Sequence, residues 1–136
     1  MAVTGQTSSV TFGTSAITAT LISIDPPEEA ITADIALPTL ALARGDYLPY
    51  SPGDLVEGGE YTLQFVNDFD TTISVGTATE TITWTKPLNS GDTTAANWAF
   101  PGYIKSVKED SYETDTRGTI TVVVKVAGDV TKTAAA

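Results

Sequence analysis

Four acids crowd one short stretch of this chain. Glu109, Asp110, Glu113 and Asp115 all fall between Lys108 and Arg117. Carboxylates this close could gather a hard cation, which takes oxygen ligands, and a carboxylate pair can run glycoside hydrolysis as acid and base. Acids are spread along the whole sequence, however, so a solvated loop accounts for the stretch as well. A second candidate is Asn67-Asp68-Phe69-Asp70 with Thr72 and Ser74, which has the outline of a calcium loop. Its sixth position is Ile73 where the turn requires Gly, and its twelfth is Thr79 where a bidentate Glu is required. Trp84 and Trp98 could form a sugar platform, but both fall on strand faces predicted to point inward. Ser51-Pro52-Gly53 and Gly58-Gly59 lack the order of a phosphate-cradling loop. The chain has no His and no Cys. That removes the commonest general base, thiolate chemistry, disulfides and the usual zinc ligands. Ser and Thr without a base are structural. The expectation is a protein that is not an enzyme, with no cofactor and no metal.

The 136 residues suit a single domain, 1–136, with one core. The formal charge of −10 argues against clustered phosphate contacts and against docking on anionic lipid. No apolar run approaches the roughly 20 residues that span a bilayer, and the start lacks the basic flank and apolar run of a secretory signal. The expectation is a protein that stays in the cytoplasm until it assembles.

Thr is the commonest residue, Val, Ile and Tyr are frequent, and helix signatures are scarce. Ile17–Ile24 reads as a strand with Ile17, Ala19, Leu21 and Ser23 on one face. Asp25-Pro26-Pro27 ends it. Ala30–Leu37 reads as a second, half-buried strand closed by Pro38. Glu60–Val66 alternates Tyr61, Leu63 and Phe65 against Glu60, Thr62 and Gln64. Thr79–Lys86 sets Ile82 and Trp84 on one face. Ala95–Val107 carries Trp98 and Phe100, with a bulge or bend expected at Pro101-Gly102. Gly118–Val126 is the clearest strand, with Ile120, Val122, Val124 and Val126 inward. Residues 1–14 and 128–136 read as extended terminal arms, the latter with weak order. The fold expected is all-β, or β with one short helix: a sandwich or open barrel of six to eight strands with a long inter-strand loop.

That loop, Pro38 to Val56, carries Leu40, Leu42, Tyr47, Leu48, Tyr50 and Leu55, more apolar surface than a lone domain can cover. Compact domains rarely keep loops of this length without a use for them. It reads as an arm that packs on a neighbouring subunit, which points to self-assembly.

The layout resembles the major tail tube proteins of long, flexible-tailed (siphovirus-type) bacteriophages, a fold family shared with the needle-tube proteins of contractile injection systems. The carrying residues are Ile22-Ser23-Ile24-Asp25-Pro26-Pro27, the strand Ile31–Leu37, the loop with Tyr47-Leu48-Pro49-Tyr50-Ser51-Pro52-Gly53-Asp54, the return strand Glu60–Val66, Trp98-Ala99-Phe100-Pro101-Gly102-Tyr103-Ile104 and the closing strand Thr119–Gly128. The resemblance implies a virion structural protein, made in the host cytoplasm, whose hexameric rings stack into a tube that conducts DNA during ejection. It implies self-association together with tape-measure, tail-terminator and distal tail proteins as partners, and no membrane partner. DNA passes without specific binding, and a chain this acidic suits that role because like charge keeps phosphates from sticking. The family's helix falls near residues 69–79, where β-branched residues and Gly76 make a poor helix. The loop residues are then expected to make the contacts between rings, and Asp34, Glu60 and Glu80 are candidates to line the lumen. Two other classes fit the composition: a capsid decoration (cement) protein, and a carbohydrate-binding or adhesin-like β-sandwich.

Overall fold

A computed structural model of the chain describes residues 8–14, 17, 19–32, 34–53, 55–67, 73–76, 78–88 and 90–136. The described residues form eleven strands and no helix: β1 (Ser9–Phe12), β2 (Leu21–Asp25), β3 (Ala30–Ile31), β4 (Asp34–Ala36), β5 (Tyr50–Pro52), β6 (Val56–Glu57), β7 (Glu60–Val66), β8 (Glu80–Thr85), β9 (Asn97–Glu109), β10 (Thr119–Val126) and β11 (Thr131–Thr133). The all-β expectation holds. Where a family helix is expected, residues 73–76 are neither helix nor strand, and the rest of that segment lies largely outside the described residues.

The main sheet has the order β1-β8-β9-β10-β7-β2, with β11 added to β9, and every pairing is antiparallel. Strict alternation on β7 and β10 decides which face is the core. Tyr61, Leu63 and Phe65 meet Val124, Val122 and Ile120 directly across the ladder, and all six are buried. Ile82, Phe100, Ile104 and Val126 complete the cluster. Burying each such side chain contributes roughly 1.5–3 kcal/mol.

The sheet curls on itself. Between β7 and β8 lie β10 and β9, so Tyr61 and Trp84 would stand about 14 Å apart on a flat sheet at ~4.8 Å per strand. Their ring centroids are 5.8 Å apart. Tyr61 also stacks on Phe100 at 4.9 Å, reaching across the intervening β10. One face therefore closes over itself as an open barrel. Its free edges are β1 and β2, and Val10 and Phe12 from one edge and Leu21 and Ile24 from the other pack against the same core.

Two bulges set the phase of this closure, and both depart from the sequence expectation. On β2, Leu21 pairs with Phe65 but Ser23 pairs with the adjacent Gln64. The extra residue turns Ile24 inward and Ser23 outward, whereas simple alternation puts Ser23 with Leu21. On β9, Val123 and Val124 of β10 pair with Ser106 and Ile104, which leaves Lys105 as the extra residue. No bulge falls at Pro101-Gly102 itself: the register with β8 is regular there, and Phe100, Gly102 and Ile104 keep one buried face across it. Pro101 falls where β10 has ended and β11 has not begun, so no ladder bond is needed from its missing N–H. Gly102 is required there because a Cβ would meet the Lys125 carbonyl oxygen at 2.7 Å.

The termini also differ from expectation. Residues 1–7 lie outside those described, but Ser9–Phe12 is an edge strand and no free arm. The last residues are docked: β11 pairs with Asn97–Ala99, Val130 packs on the core, and the Ala136 backbone bonds to Thr93 and Thr94.

Candidate assembly surface

The predicted strand Ala30–Leu37 is not part of the barrel. It breaks into β3 and β4, which pair only with β6 and β5 in two small ribbons. All of its described residues are exposed, so the half-buried expectation fails. Residues 30–57 thus leave the barrel as one β-ribbon arm, held along its length by Thr32 N to Leu55 O (2.9 Å) and Leu37 N to Pro49 O (2.9 Å). Alternation failed to predict burial here because Ile31 and Ile35 alternate correctly but have nothing to face.

Proline and glycine fix the root of the arm. Pro26-Pro27 stops β2, and Gly58-Gly59 returns the chain into β7. Gly59 has φ +78°, and a Cβ there would meet Pro27 Cβ at 2.7 Å; a Cβ on Gly58 would meet Val126 Cγ1 at 2.4 Å. Lys132 ties β11 to this root through Glu29 at 2.6 Å, while its Nζ lies 4.6 Å from the Trp98 ring centroid. Lys86 covers Trp98 as well, at 4.3 Å. Cations therefore occupy the indole face that a sugar platform would need to keep open.

The six apolar loop residues are all exposed. Leu40 and Tyr47 are fully so, at 107% and 96%, and Leu42, Leu48, Tyr50 and Leu55 follow. The structure brings them together on the arm, and adds Ile31, Ile35, Leu37 and Val56 to the same exposed apolar set. Ile31, Ile35 and Leu37 were missed because the Ala30–Leu37 alternation reads as a strand facing a core, and Val56 because it closes the loop next to Gly58-Gly59. The bracketing Pro26-Pro27 and Gly58-Gly59 was the available sign that the whole span stands off the barrel. At the tip, Ala43-Arg44-Gly45-Asp46 forms a closed turn: Asp46 N donates to the Ala43 carbonyl at 3.0 Å, the Asp46 carboxylate accepts from Ala43 N at 2.7 Å, and Gly45 takes φ 95°.

The three candidate lumen acids do not cluster. Asp34 sits on the arm. Glu60 opens β7 and accepts a hydrogen bond from Lys105, the bulge residue of β9. That bond holds the Glu60 carboxyl below its ordinary range and raises the Lys105 ammonium. Glu80 opens β8 and accepts from Thr14 N at 3.5 Å.

Three of the four acids of the 109–115 stretch, Glu109, Asp110 and Glu113, are engaged nearby. Asp110 accepts from Thr119 Oγ1 (2.6 Å) and Thr121 Oγ1 (3.0 Å), and these bonds hold its carboxyl below the ordinary range. Glu109 accepts from Tyr112 Oη, which in turn accepts from the buried Asn67. Glu113 accepts from Thr116. Among the described residues no group of three or more His, Cys, Asp or Glu is arranged to hold a metal ion. Six residues of the calcium-loop candidate at 67–79, among them Asp68, Asp70 and Thr72, lie outside the described residues.

No protein-family model matches this chain, and no curated protein matches it. Solved structures do match. A chain in the cryo-EM structure of an extracellular contractile injection system, the PVC sheath/tube terminator in its extended state, superposes with a TM-score of 0.75 over 98% of each chain at 13% sequence identity. At that identity the likeness defines the fold. This all-β chain shares its fold with a chain of that contractile injection system structure.

Proposed function

We propose that this chain is a structural subunit of a phage-type tail, which self-assembles through its arm into stacked hexameric rings that form the tube. The carrying observation is the arm: a preformed ribbon whose largest apolar side chains face solvent while the inward-facing apolar residues of β7 and β10 beside it are buried. Exposed apolar surface concentrated in this way marks a protein interface. The shared fold with a chain of a sheath/tube terminator structure gives the assembly its type. In this reading the tube conducts DNA into the host, the net charge of −10 keeps the wall from binding it, and the neighbours are other tail proteins. The chain is not an enzyme, it is made in the host cytoplasm, and it resides in the virion tail.

A second reading is favoured by the neighbour itself: a ring that ends a tube. Electron microscopy of purified protein tests both. Tubes of stacked rings support the tube subunit. Single rings that bind the ends of preformed tubes support the terminator. Monodisperse monomers at every concentration and salt would remove both.

A further inference from the structure

The arm needs an acceptor, and the structure holds one at the arm's own root. A groove of about 480 Å³ lies between the root and the C-terminal turn, lined by Glu29, Val56, Gly58, Gly128 and Val130, with Asp129 and Lys132 at its side. A second recess shares its Val56, Gly58, Gly128 and Asp129 wall and extends it to Glu57 and Lys125. The two glycines let the backbone pack closely beneath it: a Cβ on Gly58 would meet Val126 at 2.4 Å and one on Gly128 would meet Pro101 at 2.7 Å. The volume lies within the range of sites that bury small apolar groups, about 300–1,000 Å³.

The charges of this groove are uneven. Lys132 is committed to Glu29 and to the Trp98 ring, and Lys125 lies within the field of Glu60. Asp129 and Glu57 make no salt bridge among the described residues. The arm tip carries the converse. Arg44 is the only Lys or Arg among the first 85 residues, and it too makes no salt bridge among the described residues. The closed turn presents it, and the one acid beside it, Asp46, is already bonded to Ala43 N. Leu40 and Tyr47, fully exposed, flank this turn.

We propose that the arm tip of one copy seats in the root groove of the next, with Leu40 and Tyr47 against Val56 and Val130 and Arg44 paired with Asp129. This rests on the self-assembly reading above and names the surface that reading leaves open. The contact is between copies because the ribbon from Ala30 to Ala36 holds the tip about 20 Å from its own root, at roughly 3.3 Å per extended residue. Tip and groove are different surfaces of one chain, so the contact is heterologous and repeats from copy to copy, closing a ring or extending a stack.

Charge exchange tests it. Arg44→Asp and Asp129→Arg should each weaken association about tenfold in sedimentation velocity, and the double variant should recover most of the loss. Circular dichroism and melting should match the wild type throughout, since both residues are exposed. The chain has no Cys, so Ala43→Cys protein mixed with Asp129→Cys protein should give a mixed disulfide dimer under mild oxidation. Wild-type assembly that survives both reversals, or Ala43→Cys linking only to itself, would overturn this contact while leaving self-assembly standing. A wild-type chain that stays monomeric would remove the assembly reading and this contact with it.

Discussion

The barrel and the arm are built from the same residue types and behave in opposite ways. On β7 and β10, alternating Tyr, Leu, Phe, Val and Ile are buried to within a few per cent of completely. On β3 to β6, Ile31, Ile35, Tyr50 and Val56 stay in water. Local pattern specifies a strand in both places. What differs is the neighbour: β10 has partners on both edges and a curled sheet above it, while each arm strand has one short partner and no second layer. Burial therefore measures context, and a segment with core-like side chains and no core is one whose context lies in another molecule.

The largest effect is expected in the barrel. Phe100→Ala removes the ring on which Tyr61 stacks and should cost about 3–5 kcal/mol of unfolding free energy in a denaturant titration. A loss below about 1 kcal/mol would mean that the barrel is as loosely packed as the arm. Gly102→Ala follows, since its Cβ meets a backbone carbonyl that cannot rotate away. Overpacking there should cost about 1–3 kcal/mol.

Acid and base should also act on the barrel. Burial first, and the charge of Glu29 second, push the Tyr61 hydroxyl up to about 12 from its ordinary value of 10.0. The unfolded chain then releases this proton before the folded one, so stability is complete below pH 10 and falls as pH rises towards 12, by up to about 3 kcal/mol. Tyr61→Phe should flatten that limb of the melting-against-pH curve. Asp110 has the opposite sign. Its carboxyl is held low, so its contribution is present above the ordinary carboxylate range and is lost as pH falls through it. Asp110→Asn should cost about 1 kcal/mol at neutral pH and reduce the acid sensitivity. The smallest effect on folding is expected in the arm: Leu40→Ser with Tyr47→Ser should change the unfolding free energy by less than about 0.5 kcal/mol, while weakening association more than any barrel change of equal size.

Much of the barrel was legible in the sequence because period-two alternation on β7, β8 and β10 is unbroken and bounded by Pro, Gly and Asn. The bulges at Ile22-Ser23 and Lys105 were not, since a single inserted residue leaves composition and propensity unchanged and only the partner strand reveals the slip. The docked C-terminus was hidden for a different reason. Thr131–Thr133 is polar, short and exposed, and its hold comes from Lys132 reaching Glu29 and Trp98, residues remote in sequence. The six apolar residues of the loop were found by counting what a lone domain could not cover. Ile31, Ile35 and Leu37 were not, because an exposed strand and a buried one read alike. The candidate lumen acids depend on a ring that one chain does not contain, and the barrel shows only that Glu60 already has a Lys partner.

The most direct test replaces residues 38–48 by Asn-Gly, joining Leu37 to Pro49 through a two-residue hairpin turn, and compares sedimentation of this variant with the wild type over a range of concentrations. The account predicts that the wild type sediments as rings or stacked rings, and that the shortened chain sediments as a folded monomer with an unchanged melting temperature. A shortened chain that assembles as the wild type does would contradict it and return the arm to the status of ordinary surface.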